Sequence, residues 1–425
     1  MTSFADKKKF AKSLDIRTVC SDIGGVDFRG RKSVPSPLRN QSGNSFSIDE
    51  KRNIFTDWGY PVNDNARGVA SGDSIDFVRY LLNISFSDAV EYLWKWYHGS
   101  ATEVVKPVVN FVPNQRNEAP DLSSDEIDRA NRIFLGLSIL DERSKETLAA
   151  RNISDEEIDY FGFKTFPKRL IKGELNRKLR EANIRPESVP GLYIRKGEKD
   201  ASFKFYDAVA IPVTTVEDFV AGIQLRLFNS GDGPRYIWFS SSGFTTPDFA
   251  YDGKTPGTPL GFVDKVKKND RTLFITEGMF KAIAINKCYG CPVISVQGVG
   301  NFSGIEDTLS KVFEKYPRIN RILIAYDADF IGNMNVTSHA VRLYKTMLGS
   351  FPGMKYQYLM WDEKYGKGFD DLINNTGGWQ VSSIVKTIDM ELFETAFEQF
   401  KPTGMQLMQE GRKDEIAQLF KNYLK

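Results

Sequence analysis

The chain has 425 residues, 41% of them hydrophobic and 26% charged, with a formal net charge of +2. That length accommodates two or three domains with separate cores, and the near balance of charge excludes a globally basic binder, so any nucleic-acid track has to be a local patch. Three cysteines are too few for a disulfide framework, and neither a bilayer-spanning apolar run nor a signal-peptide core after Lys7 to Lys9 is present, so a cytoplasmic protein without membrane contact is expected.

Residues 1–104 read as a small α+β domain. Phe4 to Thr18 has helical amphipathic spacing, and Ser45 to Ile48 and Asn53 to Asp57 read as short strands between turns. Gly72-Asp73-Ser74 introduces a helix over Ile75 to Leu82, capped by Asp73 or Ser74, and Ser85 opens another over Asp88 to Tyr97. This order, with Asn44-Ser45-Phe46, Phe55, Trp58-Gly59 and Gly72-Asp73-Ser74-Ile75-Asp76-Phe77-Val78, resembles the zinc-binding domain at the start of bacterial and phage primases. The resemblance stops at the ligands. Ser36-Pro37-Leu38-Arg39 stands where that family has its first Cys-x-x-His, and the later cysteine pair has no counterpart. Structural zinc takes four Cys or His ligands; the domain offers Cys20 and His98, so no zinc is expected. Arg39 would then do by charge what the metal turn does by shape, and the strands would read single-stranded template. A purely structural remnant is the other reading.

Residues 105–122 mix Pro, Asn and charge without helical period and read as a linker. Ser123-Ser124-Asp125-Glu126 starts a helix with acids in its first turn, helical spacing continues to about Ala150, and Ser154 caps a further short helix. From Lys164 to Lys199 there are eleven Lys or Arg against four Glu or Asp, a surplus of seven positive charges; this is either a solvated helix face or a phosphate-contacting wall. Ala208 to Pro212 and Val220 to Phe228 read as strands paired across the turn at Val216 to Phe219. Gly222-Ile-Gln-Leu-Arg226 and Arg235-Tyr236-Ile-Trp-Phe-Ser-Ser241 resemble the N-terminal subdomain of the primase polymerase core, which makes 123–265 a mixed α+β subdomain. The resemblance implies that Arg226 faces the catalytic cleft and that Arg235 and Tyr236 hold template or nucleotide phosphate. Cross-strand packing accounts for the same residues equally well.

Residues 266–376 alternate strand, helix, strand, helix, strand, with Glu277 ending the first strand and Asp327 and Asp329 following the last. Apolar β-branched runs of this kind form buried parallel strands, and open α/β sheets bind ligands at their carboxyl ends. On an extended strand Asp327 and Asp329 would share one face and, with Glu277, could hold Mg²⁺ while leaving positions for water and phosphate. Glu277-Gly278, Asp327-Ala-Asp329 with Gly332, and Lys367-Gly368-Phe-Asp370-Asp371 resemble the Toprim domain of primases, topoisomerases and some nucleases. The resemblance implies an α/β Toprim parallel sheet flanked by helices, with Mg²⁺ or Mn²⁺ on Glu277, Asp327, Asp329, Asp370 and Asp371, and with Lys367 toward nucleotide. Two positions depart from the family pattern: Lys281 stands where primases carry an acid four residues after the Glu, and Gly368 where they carry the first of the final acids. Lys281 would contact phosphate instead. Residues 377–425 read as two or three amphipathic helices, Ile384 to Phe400 and Met405 to Leu424, capping the sheet or docking a replicative helicase.

Gly253-Lys254-Thr255 lacks the earlier glycine of a phosphate-binding loop and is followed by Pro256. Cys288-Tyr-Gly-Cys291 has no partner pair, and buried thiols are expected. The resemblances together imply a DNA primase of phage or mobile-element type, copying single-stranded DNA into short RNA primers from NTPs. The alternatives are a Toprim nuclease using the same acids, or a non-catalytic single-strand-binding replication factor.

Overall fold

The computed structural model describes the chain from Ser3 to Leu424 apart from residues 29–32, 39–43, 64–65, Asn83, 99–117, 168–170, Asp232, 245–248, Trp379 and Gly411. Arg39 therefore lies outside the described residues. The fold is mixed α/β and divides into two compact units: Met1–Ala119 with Tyr193–Lys199 and Gly243–Asp252, and Pro120–Leu192 with Asp200–Ser242 and Gly253–Lys425. Among the described residues no helix is long and apolar enough to cross a membrane.

In the first unit the amphipathic stretch expected as one helix is two, α1 (Phe4–Ser13) and α2 (Ile16–Asp22). Leu14 is extended, and the Asp15 carboxylate restarts the helix by accepting the Thr18 N–H at 2.8 Å. Strands β1 (Val34–Pro35), β2 (Asn44–Asp49), β3 (Ile54–Asn63) and β4 (Ala66–Gly72) form an antiparallel meander in that order. Asp73 accepts the N–H groups of Ile75 and Asp76 to start α3 (Ser74–Leu82), and Ser85 caps α4 (Phe86–Tyr97). Phe46, Phe55 and Phe77 meet at 5.6–5.8 Å between ring centroids in the core. Asp57 is buried as well, and its carboxylate accepts from Ser36 Oγ at 2.6 Å and Ser45 Oγ at 2.8 Å. Its neighbour on the strand, Trp58, points to the other face and is 63% exposed.

The second unit opens with α5 (Ser124–Gly136), α6 (Glu142–Ala149) and α7 (Asp155–Phe161), followed by β5 (Lys164–Thr165), α8 (Lys172–Glu181), the short strand β6 (Leu192–Tyr193), at which the chain passes from this unit to the first, and β7 (Ser202–Phe203). Capping boxes at Ser123/Glu126 and Ser154/Glu157 start α5 and α7. The helical spacing expected to run to Ala150 is interrupted, because Asp141 caps α6 anew by accepting the Ser144 N–H at 2.9 Å. In the basic window, Arg177 of α8 pairs with Glu174 and Glu181 on the same helix, and Arg180 with Asp200 beyond it. Both arginines are more than half exposed, on a solvated helix face. Strands β8 (Ala208–Thr214), β9 (Val220–Leu227) and β10 (Tyr236–Trp238) then complete an antiparallel sheet of order β10-β9-β8-β5.

The larger sheet follows, built from β11 (Gly261–Val263), β12 (Thr272–Glu277), α9 (Met279–Tyr289), β13 (Val293–Val296), α10 (Ile305–Lys315), β14 (Arg321–Ala325), α11 (Met334–Ser350), β15 (Lys355–Met360), α12 (Phe369–Thr376), α13 (Val381–Ile384) and β16 (Lys386–Asp389). Its order is β11-β13-β12-β14-β15-β16, with the four central strands parallel and both edges antiparallel. Nearly every residue of β12, β13 and β14 is buried, as parallel strands covered on both faces require. Strand β16 lies where the sequence suggested a helix. Thr387 and Ile388 are β-branched and pair with Leu359 and Tyr358, so an available sheet edge overrides a weak helical pattern. The chain ends in α14 (Met390–Gln409), which runs through Pro402, and α15 (Lys413–Tyr423). Both cap the sheet through Phe393, Phe397, Phe400 and Phe420, with Phe393 stacked on Tyr358 at 4.8 Å.

Candidate active site

Parallel pairing of Thr276 with Ala325 ends β12 and β14 side by side, and the Thr276 hydroxyl donates to the Ala325 carbonyl at 2.6 Å. Glu277 is therefore the last residue of one strand, and Asp327 follows the next. Gly278, at φ +80°, turns the chain into α9, whose first turn carries Lys281. The Lys281 side chain bends back over the strand ends, makes a close ion pair with Asp327 Oδ1, and lies 3.9 Å from Glu277 Oε2. That Asp327 oxygen is buried with no aligned hydrogen-bond donor among the described residues, so the ammonium is its partner by charge.

The two aspartates do not share a face as an extended strand would have it. The strand ends at Ala325, and residues Ala328–Gly332 form a 3₁₀ turn starting at Asp327. That turn sends Asp329 to Lys367, whose Nζ is 2.7 Å from Asp329 Oδ2. The Lys367 carbonyl accepts the Ala328 N–H at 2.8 Å, which ties the Lys367-Gly368 loop to the same turn.

Asp370 and Asp371 sit in the first turn of α12 and diverge. Asp371 caps its own helix by accepting the Gly368 N–H at 3.1 Å. Asp370, with a side chain only 4% exposed, accepts from Arg151 Nη1 at 2.5 Å. The Arg151 guanidinium also lies over the Phe280 ring, 5.2 Å from its centroid. No sequence motif contains Arg151. It follows α6, and its partner is 219 residues further on, so no local signal marks it.

The charges explain one another. Burial raises the pKa of Glu277, Lys281 pulls it back, and Asp327 and Asp329 add repulsion that leaves it above the ordinary glutamate value. Burial would lower Lys281, but Asp327 and Glu277 outweigh it, with a further contribution from Asp370, and hold the ammonium above the ordinary lysine value. Lys367 is raised chiefly by its hydrogen bond to Asp329. Asp370 is raised by burial despite Arg151.

Arg226 and Tyr236 are directly paired across β9 and β10. Burial depresses the Arg226 pKa, Tyr236 opposes this, and the like charges of Arg151 and Arg235 add to it. Arg226 Nε is buried without an acceptor among the described residues. Arg235 and Tyr236 are exposed beside it. The direct pairing is the contact that cross-strand packing requires, and Arg151 is close enough to act on Arg226 by charge. A cleft of about 410 Å³ opens beside Arg151 and Asp370, lined also by Asn152, Ile283, Lys287 and Asn374. A hollow of about 540 Å³ lies at the opposite ends of the strands, among Arg271, Arg321 and Lys355, remote from the acids.

The metal set expected from the sequence is not assembled as five ligands. Among the described residues no three ligating side chains converge on one point: Glu277 and Asp327 face Lys281, Asp329 faces Lys367, and Asp370 faces Arg151. Magnesium, however, is commonly held by one or two carboxylates together with substrate phosphates. Asp329, whose partner Lys367 is largely exposed, is the carboxylate that could join substrate phosphates around a single ion.

Residues 262–379 match a family model described as a domain of unknown function (DUF3854). No curated protein sequence matches the chain. Among solved structures, the chain is similar to the zinc-binding and RNA polymerase domains of the Aquifex aeolicus primase, at 17% identity and a TM-score of 0.46, over 100% of this chain and 93% of that one. It is also similar to the RNA polymerase domain of Mycobacterium tuberculosis primase DnaG, at 14% identity and a TM-score of 0.47, over 71% and 99%. A third is a DnaG primase catalytic domain bound to ssDNA, at 17% identity and a TM-score of 0.45, over 66% and 85%.

Proposed function

We propose that the chain is a DNA primase of phage or mobile-element type, making short RNA primers on single-stranded DNA in the bacterial cytoplasm. The observation that carries this reading is the meeting of Glu277 and Asp327 at adjacent parallel strand ends, with Asp329 on the following turn. Arg226, on β9 of the same unit, adds a guanidinium whose buried Nε has no acceptor among the described residues. Magnesium or manganese held by Asp329 together with the substrate phosphates would neutralise the triphosphate and favour ionisation of the attacking hydroxyl. The protein's own groups do the rest. The Arg226 guanidinium donates to a phosphate oxygen, Arg235 and Tyr236 hold template or nucleotide at the exposed strand, and Glu277 receives the proton of the 3′-hydroxyl. The 3′-oxygen then bonds to the α-phosphorus as pyrophosphate leaves. In the first unit, exposed Trp58 on β3 would stack on a template base. On α14, Leu392, Met405 and Met408 are exposed and would suit a separate replicative helicase.

Incubation with single-stranded DNA, labelled NTPs and Mg²⁺ or Mn²⁺ tests this. Primers are expected from the wild type and none from Asp329→Asn, whose circular dichroism should be unchanged; primer synthesis by Asp329→Asn would refute the assignment. The pairing of Glu277, Asp327 and Asp329 with lysine ammonium groups favours a second reading, a non-catalytic single-strand-binding factor. In the same assay it would give a shifted DNA band with neither primers nor cut strands.

A further inference from the structure

We propose that the Lys281 ammonium is a built-in cation of the acidic centre, standing between Glu277 and Asp327 where a divalent ion would otherwise sit, so that the centre accepts one divalent ion at most. The inference rests on reading these acids as a cation-binding centre and adds which cation serves each side of it.

Three observations converge. The first is burial: the Lys281 side chain is 19% exposed, and its ammonium pairs with Asp327 and approaches Glu277. An ammonium withdrawn this far from water persists only where carboxylates compensate it, and Glu277, Asp327 and Asp370 all act on it. The second is the room made for it. A Cβ at Gly368 would lie 3.0 Å from Lys281 Cε and 2.4 Å from Asp370 Oδ1. A larger residue there would displace the lysine stem or the acid. The third is the contrast with Lys367, whose side chain is 56% exposed while it pairs with Asp329. A long side chain with that much solvent access can swing away and yield Asp329 to an incoming ion. Lys281 is held inside by its surroundings and cannot yield Asp327 in the same way. A divalent ion between Glu277 and Asp327 would lie in contact with a like charge, so that side stays with the lysine.

The test is a titration of the full-length protein with Mn²⁺ in nucleotide-free buffer, counting bound ions by electron paramagnetic resonance. It is run on wild type, Lys281→Arg and Lys281→Met, alongside thermal melting in chelator and in Mn²⁺. Wild type and Lys281→Arg should bind at most one ion. Lys281→Met should gain an ion, or bind its single ion on the order of tenfold or more tightly, because a positive charge a few ångströms away is gone. It should also melt lower than wild type in chelator and recover in Mn²⁺. Two ions on the wild type would overturn the proposal. So would unchanged Mn²⁺ binding by Lys281→Met, or unfolding of that variant that Mn²⁺ does not reverse. The counts do not depend on primer synthesis. A gained or tightened ion on Lys281→Met with no primers from the wild type would sink the primase reading alone, and primers together with unchanged Mn²⁺ binding by Lys281→Met would sink this inference alone.

Discussion

The pair between Arg151 and Asp370 offers a quantitative test of how the second unit is held together around its acids. Replacing Arg151 by Met keeps the stem that lies over Phe280 but leaves Asp370 buried without its 2.5 Å partner. Removing one member of a buried pair costs about 3–5 kcal/mol. The loss has a ceiling, since Asp370 can protonate instead. Bringing a carboxyl from an ordinary value near 3.9 to neutrality at pH 7.5 costs about 5 kcal/mol, and at pH 5 about 1.5 kcal/mol. Arg151 is partly exposed, at 22%, so water softens the effect, and roughly 3 kcal/mol is expected at pH 7.5. The sign follows from burial, which already raises Asp370, and loss of the arginine raises it further. The penalty is therefore full above the new folded pKa and disappears below the unfolded one. Urea titrations followed by circular dichroism at pH 7.5 and pH 5 would measure both values. The double variant Arg151→Met/Asp370→Asn should recover most of the loss. A penalty below about 1 kcal/mol at pH 7.5, or a double variant as unstable as Arg151→Met alone, would refute this account.

Other consequences follow from particular contacts. Trp58→Ala should weaken binding of single-stranded DNA by about 1–3 kcal/mol in a fluorescence anisotropy titration while leaving the melting curve in place; unchanged affinity would remove β3 from the template path. Asp57→Ala strips the Ser36 and Ser45 hydroxyls of their buried acceptor and should destabilise the first unit by roughly 1–3 kcal/mol in urea. Burial would raise Asp264, but the Tyr316 hydroxyl at 2.6 Å and the Lys315 ammonium at 2.9 Å outweigh it and hold its carboxyl below the ordinary range. A depressed carboxylate stabilises above its unfolded pKa. The stability gap between wild type and Asp264→Asn should therefore be full at neutral pH and close as pH falls below about 4; a gap that widens in acid would contradict the assignment.

Much of this architecture is legible along the chain. The runs Leu273 to Thr276 and Ile322 to Tyr326 can hardly be anything but buried strands, and glycine and serine signals mark where α3, α4, α5 and α7 begin. Hydrophobic periodicity and capping act over a few residues, so sequence alone fixes them. For the same reason it placed Glu277 and Asp327 at strand ends. Partnership was beyond it. Asp329 turns to Lys367 because a 3₁₀ turn replaces the expected strand, and Asp370 is claimed by Arg151 from across the fold. Strand β16 exists because β15 had a free edge to offer. Nor did the sequence show that Lys281 folds back onto Glu277 and Asp327. Which charge neutralises which is set by desolvation and by distances of a few ångströms, and those come into being only when remote segments are packed together.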